Sequence, residues 1–290
     1  MAPRARPTAR RIALGQELRQ LRKQAGLTLE QAVRGLPFSE TKLQRAETGL
    51  QDLRTSGVLR KLLVRYGVTD EDKVEKLLAL QREASSQEWW TRPANLLSSG
   101  LARRIATESV AQEIHAFHPL LVLGLLQTEA YAQALFDLYK PIEEHTTEFV
   151  QENVAARMKR QEPLTRDDEP LKFWAVLYEP ALRYTIGGVD VMREQYDAIA
   201  KLVARDNVRV QVLPQTHRGY LPPHDFSIMH LGEALPSTIQ VDTAWGSSAY
   251  ADKPREVGRF TRMFNALVAS ALPPEDTPKF LQRLARETTE

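Results

Sequence analysis

Apolar residues recur at helical spacing through the first part of the chain. Leu14, Leu18, Leu21 and Ala25 fall on one face and predict a helix over about 11–25, which Gly26 is placed to stop. Thr28 begins a second helix, with Gln31 three residues on to complete a capping box, and this helix ends near Gly35. Leu36, Pro37 and Phe38 form a turn, because proline lacks the amide that a continuing helix needs. Ser39 caps a third helix that Gly49 stops. A fourth helix is predicted over 55–66 and a fifth over 70–85. The pattern then breaks over 86–100, where Trp89, Trp90, Pro93 and Ser98-Ser99-Gly100 read as a joint between domains.

Helical spacing resumes over 101–117, 128–139 and 145–161. Only after that does the period shorten to two. Residues 173–178 form an apolar and aromatic run, and Val208, Val210 and Val212 alternate with Arg209 and Gln211. Residues 226–231 and 238–241 give two more strands. A helix over 190–204 separates the first strand from the second, which predicts a parallel crossover, while the shorter loops after it predict antiparallel pairing. Two helices, 254–271 and 276–288, close the chain. The expected class is α+β: an N-terminal all-α domain of five helices, then an α/β domain with a small mixed sheet of about four strands. The expected division is a disordered basic arm over 1–10, a first domain over 11–68, a helical connector over 69–104 and a second domain over 105–290.

Composition adds little to this, but charge adds a great deal. With 290 residues, 42% hydrophobic and 26% charged, the chain is ordinary for two folded domains. No apolar run is long enough for a bilayer, and the basic start is not followed by the apolar stretch of a secretory signal. Cysteine is absent, which excludes disulfides, thiolate nucleophiles and cysteine-type zinc sites and fits a cytoplasmic protein. The net charge of +2 divides unevenly: residues 1–65 carry +9 and the remainder carries −7. A basic head on an acidic body calls for an anionic partner at the head.

Three short helices with a tight turn between the second and third form a helix-turn-helix, whose third helix can enter the major groove of DNA. Wound from Ser39, that helix puts Leu43, Ala46 and Glu47 on one face, and Thr41, Gln44, Arg45 and Thr48 on the other, flanked by Glu40 and Lys42. Arginine can read guanine and glutamine adenine through paired hydrogen bonds. Lys42, the hydroxyls of Ser39 and Thr28, and the amides at the helix starts suit phosphates. The arginines at positions 4, 6, 10 and 11 can follow a minor groove or the backbone.

These residues carry a resemblance. Leu18-Arg19, Arg22, the Gly26-Leu27-Thr28 turn and Ser39…Leu43…Glu47-Thr48-Gly49 resemble the XRE-type helix-turn-helix of phage-repressor-like regulators over Leu14 to Val68. The resemblance implies that Arg22 pairs with Glu47 and ties the first helix to the recognition helix. Ala46 stands where the family usually has a larger aliphatic residue, which implies a thinner core beneath the recognition helix, and Pro37 stands where glycine is usual.

In the body, Leu123-Gly124-Leu125-Leu126-Gln127-Thr128 precedes a helix capped by Thr128 with Tyr131, Leu135 and Leu138 on one face. With Arg157, Arg160-Gln161, Tyr178-Glu179-Pro180-Ala181-Leu182-Arg183, Gly187-Gly188, Gln195 and Val208…Val212-Leu213-Pro214, it resembles the uncharacterised domain that follows the helix-turn-helix in many actinobacterial regulators. That resemblance implies an antitoxin-like transcription regulator that binds a small protein encoded beside it. Two half-sites suit a two-fold protein, so a homodimer on a double-stranded DNA operator is expected.

Enzymatic candidates are few, and the expectation is a protein that is not an enzyme and uses no cofactor or metal. Glu113, His115 and His118 could approach one metal at a helix end, though such histidines more often cap or pack. His217, Tyr220, His224 and Asp225 share a loop between strands, and a His-Asp pair can serve acid-base chemistry. Gly187-Gly188 reads as a simple turn. Glu179 and Arg183 form either a local ion pair of roughly a few tenths of a kcal/mol or, with His217, Tyr220 and His224, a corner of an effector or partner pocket. A protein-only adaptor and a hydrolase with a vestigial head remain the alternatives.

Overall fold

The computed structural model describes residues 9–49, 51, 53, 57–83, 99–232, 237–242 and 248–288. The expected disordered arm, all but its last two residues, and residues 86–98 of the joint expected over 86–100 lie outside them; the last two residues of that joint begin a helix. The chain divides into two compact units, the first of residues 1–110 with 232–236 and the second of 111–231 with 237–290.

The first unit is helical: α1 (Ala9–Gln24), α2 (Leu29–Val33), α3 (Glu40–Glu47), α4 (Val58–Arg65), α5 (Glu71–Glu83) and α6 (Ser99–Val110). One core joins Leu14, Leu18 and Leu21 of α1, Leu43 and Ala46 of α3, Leu59, Leu62 and Leu63 of α4, and Val74 and Leu77 of α5. The predicted caps are in place. The Thr28 hydroxyl accepts from the Gln31 amide at 3.1 Å while Gln31 Oε1 accepts from the Thr28 amide at 2.8 Å, and the Ser39 hydroxyl accepts from the Lys42 amide at 3.3 Å. Each hydroxyl replaces a partner that a first-turn amide lacks. Gly49 ends α3 with φ of +71°, a conformation that costs a side-chain-bearing residue.

The second unit holds β1 (Glu113–His118), α7 (Glu129–Glu143), α8 (Thr147–Lys159), α9 (Glu162–Thr165), β2 (Lys172–Tyr178), α10 (Glu179–Arg183), α11 (Val189–Leu202), β3 (Val208–Leu213), β4 (Phe226–His230), β5 (Thr238–Asp242), β6 (Ser248–Ala251), α12 (Pro254–Ser270) and α13 (Thr277–Glu287). The strands form one mixed sheet in the order β3-β2-β1-β4-β5-β6. β2 and β3 are parallel across α11, with Phe173 opposite Val208 and Tyr178 opposite Leu213, as the spacing predicts. β4, β5 and β6 are antiparallel. Phe117, Val176, Leu213, Phe226, Ile228 and Ile239 on one face pack with Met263, Phe264 and Leu267 of α12. Ala116, Ala175, Leu177 and Val210 on the opposite face are buried as well, so the central strands are covered on both sides.

The sheet has six strands, not about four. β1 was expected to be the tail of a helix over 101–117. No glycine or proline separates α6 from β1, so the sequence lacks a stop signal there. The strand exists because β2 pairs with one edge, His118 opposite Leu177, and β4 with the other, Phe117 opposite Phe226. β6 is four residues long and forms an edge, held by pairing such as Tyr250 with Gln240.

Candidate nucleic-acid interface

Helix α3 is amphipathic at its own period. Leu43, Ala46 and Glu47 are buried, whereas Glu40, Thr41, Gln44 and Arg45 are exposed and Lys42 and Thr48 are half-buried. Glu47, a carboxylate only 4% exposed, faces inward beside the leucine core and needs a partner there. Arg22 on α1 supplies it in a fork: Nε donates to Oε1 at 2.6 Å and Nη2 to Oε2 at 2.8 Å. The remaining Arg22 nitrogen, Nη1, donates to the Leu27 carbonyl at 2.8 Å in the α1–α2 turn. The hydrogen bond to Glu47 raises the Arg22 guanidinium above its ordinary pKa against the opposing effect of burial. One guanidinium therefore fixes the recognition-type helix, the first helix and the turn between α1 and α2. Burial has the opposite sign for a phenol and raises Tyr66 nearby.

The small side chain at Ala46 is matched by Gly15 on α1. A Cβ at Gly15 would collide with the Ala46 carbonyl oxygen, so α1 and α3 touch backbone to backbone and the smaller core is closed by approach. The turn into α3 is secured by a group that sequence reasoning missed. Arg65, the last residue of α4, donates through Nη1 to the carbonyls of Ala32 at 2.8 Å and Arg34 at 2.6 Å, at the end of α2. A basic residue in a helix's last turn was the visible signal, but its target lies more than thirty residues earlier.

Among the other predicted contacts, Thr48 donates its hydroxyl to the carbonyls of Gln44 and Arg45, each at 3.1 Å, which closes the end of α3. Lys42 lies over the Phe38 ring at 5.9 Å. Thr41, Gln44 and Arg45 remain as a contiguous exposed row with hydrogen-bonding ends. Arg11 falls in α1; the arginines at 4 and 6 lie outside the described residues.

The body's candidates separate. Glu113 and His115 sit on β1, not at a helix end, and His118 points to the opposite face because strand side chains alternate. Glu113 Oε1 and His115 Nε2 are 2.8 Å apart, and the His115 ring stacks on Phe264 at 4.7 Å. His118 Nδ1 accepts from the amides of Leu120 and Leu121 and shapes the following turn. Glu179 and Arg183 form the i,i+4 pair at 2.6 Å. Burial pushes the Glu179 carboxyl up, but the Gln215 amide and the Arg183 guanidinium together hold it below the ordinary value. Arg183 also reaches Glu287 at 3.0 Å, so the pair links α10, the loop after β3 and α13. His217 packs edge-on against Tyr178, and Tyr220 is exposed. His224 Nδ1 lies 3.1 Å from the backbone carbonyl of Asp225.

The Leu123–Thr128 segment of the body is gripped from every side. Gln127 donates to the Val122 carbonyl at 2.7 Å and accepts from Arg157 at 2.7 Å. Gln161 donates to the carbonyls of Gln127 and Gly124. Gln195, fully buried on α11, donates to the Leu126 carbonyl at 2.7 Å and accepts from the Thr128 amide at 2.8 Å. A signal for Gln195 existed in the sequence: it occupies the same stripe as Met192, Tyr196 and Ile199, where an apolar residue is expected.

Residues 13–77 match the family described as a helix-turn-helix domain, and residues 101–283 match the family described as a domain of unknown function, DUF5753. No curated protein and no solved structure matches the chain. The helix-turn-helix match makes residues 13–77 a DNA-binding domain of regulator type. Among the described residues no helix is long and apolar enough to cross a membrane.

Proposed function

The chain belongs to the family of the domain of unknown function DUF5753, and from that premise we propose that it is a sequence-specific transcription regulator. Its residues 11–68 read an operator, and its residues 105–290 dimerise the chain and receive a small partner protein or effector, as in antitoxin-like regulators of the actinobacterial type. It works in the cytoplasm and is not an enzyme.

The observation that carries the reading is the division of labour on α3. Glu47 is locked to Arg22 on the inner side, while Thr41, Gln44 and Arg45 stand exposed on the outer side. A helix anchored by its own buried ion pair presents its outer row in one orientation, which base readout demands. The excess of positive charge in residues 1–65 supplies the phosphate attraction that dominates affinity and makes it fall steeply with salt. Dimerisation follows from the limited affinity of one small helical head and the two half-sites of a two-fold operator.

The test selects an operator from random duplexes with the full chain and measures binding by fluorescence anisotropy at fixed salt. Arg45→Ala is expected to cost about 1–3 kcal/mol and to relax selectivity at one base position. If Arg45→Ala and Gln44→Ala both leave affinity and selectivity unchanged, the outer row of α3 does not read bases and the reading falls.

A further inference from the structure

Helix α7 has an apolar stripe that outruns its core. Tyr131 and Leu135 are buried at 0% and 7% exposure, but Leu138 is 48% exposed, Tyr139 40% and Ile142 76%. Leu138 and Ile142 continue the row of Tyr131 and Leu135 at steps of three and four residues, and Tyr139 lies three residues before Ile142. Every residue from Asp137 to Glu144 is exposed, so the last two turns of α7 are left open on all sides. One turn earlier α7 is still covered: Gly187 lies so close to Ala134 that a Cβ there would need to displace it. Scattered exposed apolar residues are ordinary; a stripe on one helix is an interaction feature.

The rim of the stripe is acidic. Glu143 borders Tyr139 on the helix, Asp137 and Glu144 are exposed on the same two turns, and Glu148 follows at the start of α8. Lys140, the one lysine or arginine between Glu129 and Glu152, turns toward α8, with Nζ 3.4 Å from the Thr147 hydroxyl, and Arg157 of α8 lies over Phe136 at 4.9 Å. This charge selects among occupants. DNA and anionic lipid are repelled. A second copy joined about a two-fold axis would set the same acidic patch against itself. A different protein with an apolar pocket flanked by lysine or arginine is complementary in both shape and sign.

We propose that the exposed end of α7, centred on Leu138, Tyr139 and Ile142, is the docking site for a basic partner protein that takes this stripe into an apolar pocket. The proposal deepens the partner-binding reading above and rests on it for its biological role, while the surface chemistry can be tested separately. Full-length chain is titrated by calorimetry with a Leu/Lys amphipathic helical peptide, with its Leu/Glu counterpart, and with the purified product of the adjacent gene. The double variant Leu138→Ser/Ile142→Ser serves as control, its folding checked by thermal melting and its DNA binding by anisotropy. The basic peptide is expected to bind the parent chain at one site and the double variant about tenfold or more weakly, and the acidic peptide is expected not to bind. The proposal is overturned if neither peptide binds, if both bind alike, or if the double variant binds as the parent does. If the double variant turns a dimer into a monomer, the occupant is a second copy and the proposal fails. A neighbour protein that binds parent and variant equally leaves the partner reading standing and removes this surface; a basic peptide that binds at the stripe while the neighbour protein does not leaves the surface and removes that partner.

Discussion

The head and the body each contain a polar motif, and the two use their side chains differently. In the 122–128 segment of the body, Gln127, Arg157, Gln161 and Gln195 all bond to the segment or to one another, and Gln195 is wholly enclosed. In the head, Arg22, Glu47 and Arg65 hold backbone and each other, while Thr41, Gln44 and Arg45 remain exposed. A motif whose polar groups are all satisfied internally is architecture: it fixes an irregular loop whose carbonyls no sheet or helix can serve. A motif that leaves an exposed row beside a satisfied brace is built to present that row. The number of polar residues in a motif therefore says less about function than how many of them the fold leaves unspent.

The contrast can be broken most severely at Glu47. Glu47→Ala leaves the Arg22 guanidinium with a buried charge and no counter-ion, and loss of one member of a buried pair costs about 3–5 kcal/mol. Thermal melting of the head and DNA anisotropy should fall together; an unchanged melting temperature would mean that the pair does not brace α3. Next in size is Gln195→Ala, which takes the donor from the buried Leu126 carbonyl at a cost of about 1–3 kcal/mol. Denaturant unfolding of the body should report that loss while the affinity of the head for DNA, measured on folded protein, stays the same. Reduced DNA affinity in the folded variant would show that the two motifs are not independent.

The smallest effect is expected from pH. Burial and the neighbouring His115 hold His230 below its ordinary value of 6.5, against the opposing pull of Glu113. The folded chain resists a proton that the unfolded chain accepts, so stability is complete above pH 6.5 and declines as pH falls below it. The His115 and His230 rings meet edge-on at 4.9 Å, so a charge on one is felt by the other. His230→Gln should flatten the melting profile below pH 6.5, whereas an unaltered profile would assign that slope to other groups.

Much of the candidate interface was legible in the sequence because helices announce themselves locally. Thr28 with Gln31, Ser39, and the run Leu43-Gln44-Arg45-Ala46-Glu47 need only the neighbours within four residues to define caps and faces, and the structure places all of them on α2 and α3. The Arg22–Glu47 pair came from a family resemblance, and the two residues are 25 positions apart. Arg65 was not legible: its role is set by carbonyls at the end of a helix that precedes it by two elements. In the body, Glu179 and Arg183 showed as an i,i+4 pair, but their links to Gln215 and Glu287 depend on loops and a terminal helix brought in from far along the chain.

The sequence by itself determined the helices and their caps, the order of helical and extended segments, the parallel crossover between β2 and β3, and the basic head on an acidic body. Each is a property of residues within one or two turns, or of composition, and so is written locally. Only the tertiary structure decided that Glu113–His118 is a strand at the centre of the sheet, that Ser248–Ala251 adds an edge, that Gln195 closes on the 122–128 loop, and that α7 outruns its core. A strand's hydrogen bonds come from partners elsewhere in the chain: β1 pairs with residues about 60 positions away on one side and more than 100 on the other. Burial, likewise, depends on what is packed opposite, and the chain near a residue does not record that.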